Sequence, residues 1–139
     1  VGMEGEHSTK ILASELPGIV AASSFGEETQ MVWLQGDIIE MEDVPVMDEL
    51  EGTSTLQQHV LLDDGTGIVR IDCTDVYASY DQYGSSFRLL KGMYARIVGQ
   101  VTWHDPSGAG VSAILSQDLS GMPDMMTSWM VEVLDARRH

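Results

Sequence analysis

The stretch QQHVLLDDGTGIVRIDC, Gln57 to Cys73, decides how the chain folds. An apolar run, His59-Val60-Leu61-Leu62, enters Asp63-Asp64-Gly65-Thr66-Gly67 and leaves as Ile68-Val69-Arg70-Ile71. This reads as a β-hairpin. Glycine supplies positive φ where the chain reverses, and the aspartates can accept hydrogen bonds from the turn's own N–H groups. Alternation along the outgoing strand puts Ile68, Arg70 and Asp72 on one side and Val69, Ile71 and Cys73 on the other. A lone hairpin is marginal in water, so the rest of the chain has to cover it.

A chain of 139 residues suits one domain with a real core, and its 43% hydrophobic content is ordinary. Its charge is not: 22 acidic side chains stand against 7 basic ones, a formal net charge of -15. Such a surface repels phosphate backbones, so strong direct nucleic-acid binding is not expected. The single cysteine, Cys73, rules out an internal disulfide and a multi-cysteine zinc site and reads as a buried strand thiol. No stretch reads as a membrane span or a signal peptide, and a soluble intracellular protein is expected.

Residues 1–8 are expected to form a flexible tail and 9–139 a single domain. Ser8 to Leu16 has helical spacing at Ile11, Leu12 and Leu16, with Ser8 as a candidate cap, and fits an edge strand equally well; Pro17-Gly18 should stop it. Ala21 to Glu28 reads as loop. Gln30 to Glu42 is a long strand, with Val32, Leu34, Gly36 and Ile38 on one face and Trp33, Gln35 and Asp37 on the other. Gly36 suggests a bulge or sharp bend, as where a sheet closes into a small barrel. Asp43 to Thr55, acidic and carrying a proline and a glycine, reads as an exposed loop.

Thr74 to Leu90 is a connector carrying Tyr77, Tyr80, Tyr83 and Phe87, with a short helix near Asp75 to Tyr80. With so few basic residues around it, closing one end of a barrel fits better than stacking on bases. Lys91 to His104 is a second long strand with Gly99 in its middle, Asp105 to Gly110 a turn, and Val111 to Leu119 a further strand. Pro123 then opens a helix to about Ala136, with Asp124 at its positive end and Arg137, Arg138 and His139 past its negative end.

That helix, the interaction segment 122–136, carries too much apolar surface for one barrel. Met122, Met125, Met126, Trp129, Met130, Val133 and Leu134 spread over roughly half its circumference, and Val131 lies opposite. Part of it should dock on the barrel and the rest should meet another chain, since Met-rich surfaces adapt to partners and Trp is a favoured anchor.

Catalytic and cofactor motifs are missing. No GxxxxGK[ST], strand-following GxGxxG, HExxH or GxSxG occurs. His7, His59, His104 and His139 are scattered, and DDGTG lacks the further carboxylates of a calcium loop. No enzyme activity, cofactor or metal site is expected.

Five strands, a DDGTG hairpin between the second and third, and a C-terminal helix resemble an all-β OB-fold, a five-stranded Greek-key barrel. More specifically, KILASEL, VWLQGDII, LLDDGTGIVRI, KGMYARIVGQV, LSQDLS and SWMVEVLD, in that order from Lys10 to Asp135, resemble the small OB-fold subunit of the RecQ-mediated genome instability complex. The resemblance implies no catalysis and a nuclear location. It implies pairing with the C-terminal OB-fold of the first RMI protein through packed C-terminal helices, in an assembly with topoisomerase III and a Bloom-type RecQ helicase. That assembly dissolves double Holliday junctions, and the pair also docks a Fanconi anaemia helicase peptide. Trp129, Val131, Val133 and Leu134 would lie on the partner-facing helix, and Lys10 and Trp33 near the heterodimer seam as a candidate docking surface. The alternative is a single-stranded DNA-binding OB subunit of a replication protein A or telomere-capping type. A homodimer through the same helix is a third reading.

Overall fold

A computed structural model describes residues 9–22, 30–104 and 108–136. The expected tail 1–8, most of the loop 21–28, the Asp105 end of the last turn and the basic residues 137–139 lie outside them.

The elements run as β1 (Thr9–Lys10), a 3-10 turn (Ala13–Glu15), α1 (Leu16–Ala22), β2 (Met31–Asp48), β3 (Thr53–Asp63), β4 (Ile68–Asp72), α2 (Thr74–Gln82), β5 (Tyr94–His104), β6 (Gly108–Asp118) and α3 (Pro123–Ala136). The sheet order is β1-β2-β3-β4-β6-β5, and β2 also pairs with β5, which closes a five-stranded barrel. Every pairing in the ring is antiparallel except β4 with β6. β1 adds two residues alongside β2, Thr9 opposite Val32 and Lys10 opposite Trp33.

The hairpin forms as its residues require. Asp63 Oδ1 accepts from Gly65 N (2.8 Å), Asp64 Oδ1 accepts from Thr66 N (2.9 Å), and Gly65 takes φ +88°. The turn also reaches across the fold. Asp64 Oδ2 accepts from Ala13 N (2.7 Å) and Thr66 Oγ1 from Ser14 N (3.1 Å), so DDGTG holds the 3-10 turn against the barrel. Alternation sorts β4 as read: Val69, Ile71 and Cys73 are buried while Ile68 faces solvent. Val32, Leu34, Ile38, Leu62, Ile97 and Val111 complete the core.

The mid-strand glycines are required by close approach. A Cβ on Gly36 would lie 2.6 Å from Asp63 O, and one on Gly99 would overlap Ser112 O. The register shifts lie nearby, between Ile38 and Glu40 on β2 and between Val98 and Gly99 on β5, where strong bending closes the barrel.

Three expectations are corrected. Pro17-Gly18 does not stop a helix; Pro17 sits in the first turn of α1, where its missing N–H costs nothing. The segment before it is strand and 3-10 turn. Asp43 to Thr55 is not a loop. β2 and β3 continue as a paired ribbon, Asp43 opposite Gln58 through Asp48 opposite Thr53, with Gly52 at φ +68° in the reversal. Val44, Val46 and the threonines favour extended backbone, and Pro45 is tolerated because one edge of each strand is unpaired there among the described residues. Gly108 to Gly110, expected within a turn, is strand and pairs with Thr102 to His104 as the start of β6. The helix expected near Asp75 to Tyr80 forms, from Thr74 to Gln82.

α2 and the segment after it close one end of the barrel. Val76, Tyr77 and Leu89 join the core, Tyr77 Oη accepts from Leu89 N (2.9 Å), and Tyr80 Oη accepts from Ser116 N (2.9 Å) and donates to Ser116 O (3.1 Å). Arg88 stacks over Tyr77 and forms a two-pronged ion pair with Asp81 (2.9 and 3.1 Å). Tyr77 and Tyr80 are thus tied into the fold, while Tyr83 stays 82% exposed. Burial pushes the Cys73 thiol up to about 12 and the Tyr77 phenol up as well. α1 packs on β5 and β6.

Candidate partner interface

Leu119 N donates to Tyr94 O (2.8 Å), which ends the barrel, and Met122 N donates back to Leu119 O (2.9 Å) in the turn that aims α3. Pro123 opens the helix with Asp124 in its first turn. Ser128 Oγ donates to Glu132 Oε2 (3.0 Å), one turn on.

α3 lies on β1 and the first half of β2. Trp129, 4% exposed, packs against Trp33 with ring centroids 6.2 Å apart, and Val133 is buried beside it. Two cations stack on the Trp33 ring, Lys10 Nζ at 4.8 Å and the Arg96 guanidinium at 4.7 Å from its centre. Lys10 Nζ also bonds Glu132 Oε1 (3.1 Å), tying β1 to α3. Gln35 is fully buried under the helix. Its Nε2 donates to Tyr94 Oη and to Met125 O (both 3.3 Å), and its Oε1 accepts from Arg96 Nε (3.1 Å). A buried amide with its partners in place fixes the seat of α3 on the barrel. Burial pushes the Tyr94 phenol up from its ordinary value. The indole N–H groups of Trp33 and Trp129 are buried without an acceptor among the described residues.

The apolar residues singled out on this helix divide in two. Trp129 and Val133 face the barrel, with Met125 half-buried at the edge. Met122, Met126, Met130, Val131 and Leu134 are exposed, Met130 by 41% and Val131 by 67%. Met126, Met130 and Leu134 form one i, i+4, i+8 row along the rim of the buried face. Lys10 and Trp33 lie in the seat itself. Gln35, Tyr94, Arg96 and Glu132 were not singled out by the sequence. Their signal was present in the polar face of each strand, but alternation does not reveal that another element covers that face.

The strand face that carries ligands in many OB-folds is differently furnished. On β3 and β4, Arg70 bonds Glu42 (2.7 Å), and His59 lies 3.9 Å from Asp72. Among the described residues, no group of three His, Cys, Asp or Glu side chains is placed to hold a metal ion.

A family model described as RecQ-mediated genome instability protein 2 matches residues 13–137. The chain belongs to that family. The match spans the DDGTG turn, Trp33, Gln35 and the whole of α3, so the genome-instability family and the α3 seat coincide on this chain. It is an OB-fold subunit of the genome-stability class. No curated protein sequence matches.

Solved structures agree on the fold. A chain of a replication protein A heterotrimer bound to single-stranded DNA superposes with a TM-score of 0.61 at 10% identity, covering 94% of this chain and 94% of that one. Yeast Stn1 and Ten1 gives 0.63 at 8% identity, covering 94% and 71%. The S. pombe Stn1–Ten1 complex gives 0.57 at 14% identity, covering 94% and 92%. At these identities the likeness carries the architecture, an OB barrel with a C-terminal helix.

Proposed function

We propose that the chain is a non-catalytic scaffold subunit that pairs through α3 with the C-terminal OB-fold of the first RMI protein. The pair works in the nucleus within a RecQ helicase–topoisomerase III assembly that dissolves double Holliday junctions. The observation that carries the reading is the exposed row Met126, Met130 and Leu134, with Val131 beside it, on a helix whose other face is already seated on the barrel. Met126, Met130 and Leu134 are already about half covered, so burying the remainder contributes roughly 1 kcal/mol apiece and covering the row is favourable. Lys10 and Trp33, in the seat under α3, would then lie close to the seam between the subunits, where a Fanconi anaemia helicase peptide would dock.

The single-stranded DNA reading finds less support. The net charge is -15, Arg70 on the strand face is committed to Glu42, and Tyr77 and Tyr80 are held by Leu89 and Ser116. Stacking platforms work beside free cations, and this face supplies few.

Light scattering on the purified chain, alone and mixed with the C-terminal OB-fold of the first RMI protein, tests the proposal. A stable 1:1 complex is expected. A chain that stays alone in the mixture, yet retards single-stranded DNA at physiological salt, would overturn it in favour of the DNA-binding reading.

A further inference from the structure

The β2–β3 arm is unexplained by pairing through α3. β5 leaves β2 at Asp37 and β4 leaves β3 at His59, so Asp43–Asp48 and Thr53–Gln58 form a ribbon with no third strand among the described residues. At about 3.3 Å per residue its six pairs extend roughly 20 Å from the barrel. A free two-stranded ribbon is marginal in water.

Its two faces differ. Cross-strand register puts Met41, Pro45, Met47 and Leu56 on one face, the one that continues into buried Val60, with Asp43, Gln58 and Ser54 between them. Leu50 stands at the tip, 98% exposed, and Leu56 is 60% exposed. At the foot of that face a half-open cavity of about 330 Å³ is walled by Met41, Val60, Tyr77 and Leu89, with Asp43 and Arg88 among its polar groups. Arg88 is neutralised by Asp81, so its charge is already spent within the fold. Glu42 at the same foot is likewise paired, with Arg70 (2.7 Å). Beyond these two pairs, the sequence contains no lysine or arginine between Lys10 and Arg70, while Asp43, Asp48, Glu49 and Glu51 stand on the arm. Pro45, lacking an N–H, hinders strand addition along β2, and the side-chain face offers a surface apart from either strand edge.

We propose that the apolar face of the β2–β3 arm and the cavity at its foot form a docking groove for a basic amphipathic peptide segment of a partner protein, separate from the α3 surface. Apolar side chains of the segment cover Met47, Leu50 and Leu56 and enter the cavity, and its Lys or Arg residues meet the acidic rim. The acidic rim alone would attract any cation. The apolar face selects a segment that is also amphipathic.

Fluorescence anisotropy of the full chain with a labelled short peptide of alternating Leu and Lys tests this at physiological salt. A peptide of alternating Ser and Lys with the same charge is the control. The Leu–Lys peptide is expected to bind at least tenfold more tightly than the control. Leu50→Ser and Leu56→Ser, which leave charge and melting temperature unchanged, are each expected to weaken it roughly tenfold, the worth of about one lost apolar anchor. Met130→Ser on α3 is expected to have no effect. Equal binding of the two peptides, or unchanged affinity in both arm variants, would overturn the proposal in favour of general attraction to an acidic surface. Loss in Met130→Ser alone would move the binding to α3. A self-associating chain whose dimer dissolves in Leu56→Ser would make the occupant a second copy, which also overturns it.

Discussion

Trp129→Ala separates the two jobs of α3. Trp129 is 4% exposed and packs on Trp33, so the substitution removes an indole from a buried seat and leaves a void. Large-to-small changes of this kind cost ~3–5 kcal/mol, against a total of ~5–15 kcal/mol for a domain. For a chain of this length that corresponds to a melting temperature lower by roughly 10 °C or more. Met130→Ala, on the exposed row of the same helix, should cost less than about 1 kcal/mol. Trp129→Phe refines the argument. The Trp129 N–H is buried without an acceptor among the described residues, so losing it breaks no hydrogen bond. Phe should therefore recover most of the loss, to within ~1.5 kcal/mol of the parent. Thermal melts by far-ultraviolet circular dichroism read all three. If Trp129→Ala melts no lower than Met130→Ala, α3 is not seated through Trp129 and the division of its faces is wrong.

Gly99→Ala should destabilise by ~1–3 kcal/mol, read by urea unfolding, because its Cβ meets the backbone oxygen of Ser112, which cannot move without breaking the β5–β6 register. Val69→Asp should leave the chain unfolded at ordinary temperature, since Val69 lies in the core; a cooperative melt near that of the parent would contradict the inward pleat of β4. Stability should fall at alkaline pH. Burial raises Cys73 from 9.0 to about 12, so above pH 9 the unfolded chain releases a proton the native chain keeps. The contribution is complete below the unfolded pKa and is lost as pH rises, at up to ~1.4 kcal/mol per unit. Tyr77, also raised, adds in the same direction at higher pH. Cys73→Ala should flatten the slope that begins near pH 9 and runs toward about pH 12, measured by urea midpoints.

Much of the barrel was legible because strand alternation and turn chemistry act locally. DDGTG, the inward pleat of β4 and the faces of β2 all follow from spacing of two and from which residues accept positive φ. The arm was misread because acidic residues, Pro45 and Gly52 are also the signals of a loop. What decides is pairing of Asp43–Asp48 with Thr53–Gln58, a cross-strand fact that neither segment carries alone. Pro17 was misread for a similar reason, since one residue stops a helix from its interior and opens one from its first turn. On α3 the amount of apolar surface was legible, but its division was not. Which part faces the barrel depends on Trp33 and Gln35, about a hundred residues earlier in the chain, meeting Trp129 and Met125.

The central claim is that the exposed row of α3 is the subunit contact. Titration calorimetry with the C-terminal OB-fold of the first RMI protein tests it, comparing the parent chain with Met130→Glu and with Tyr83→Glu, which adds the same charge at an exposed site on the α2 end. Met130→Glu should weaken binding at least a hundredfold, about 2.7 kcal/mol, with its melting temperature unchanged, and Tyr83→Glu should bind like the parent. Parent-like affinity for Met130→Glu would contradict the account.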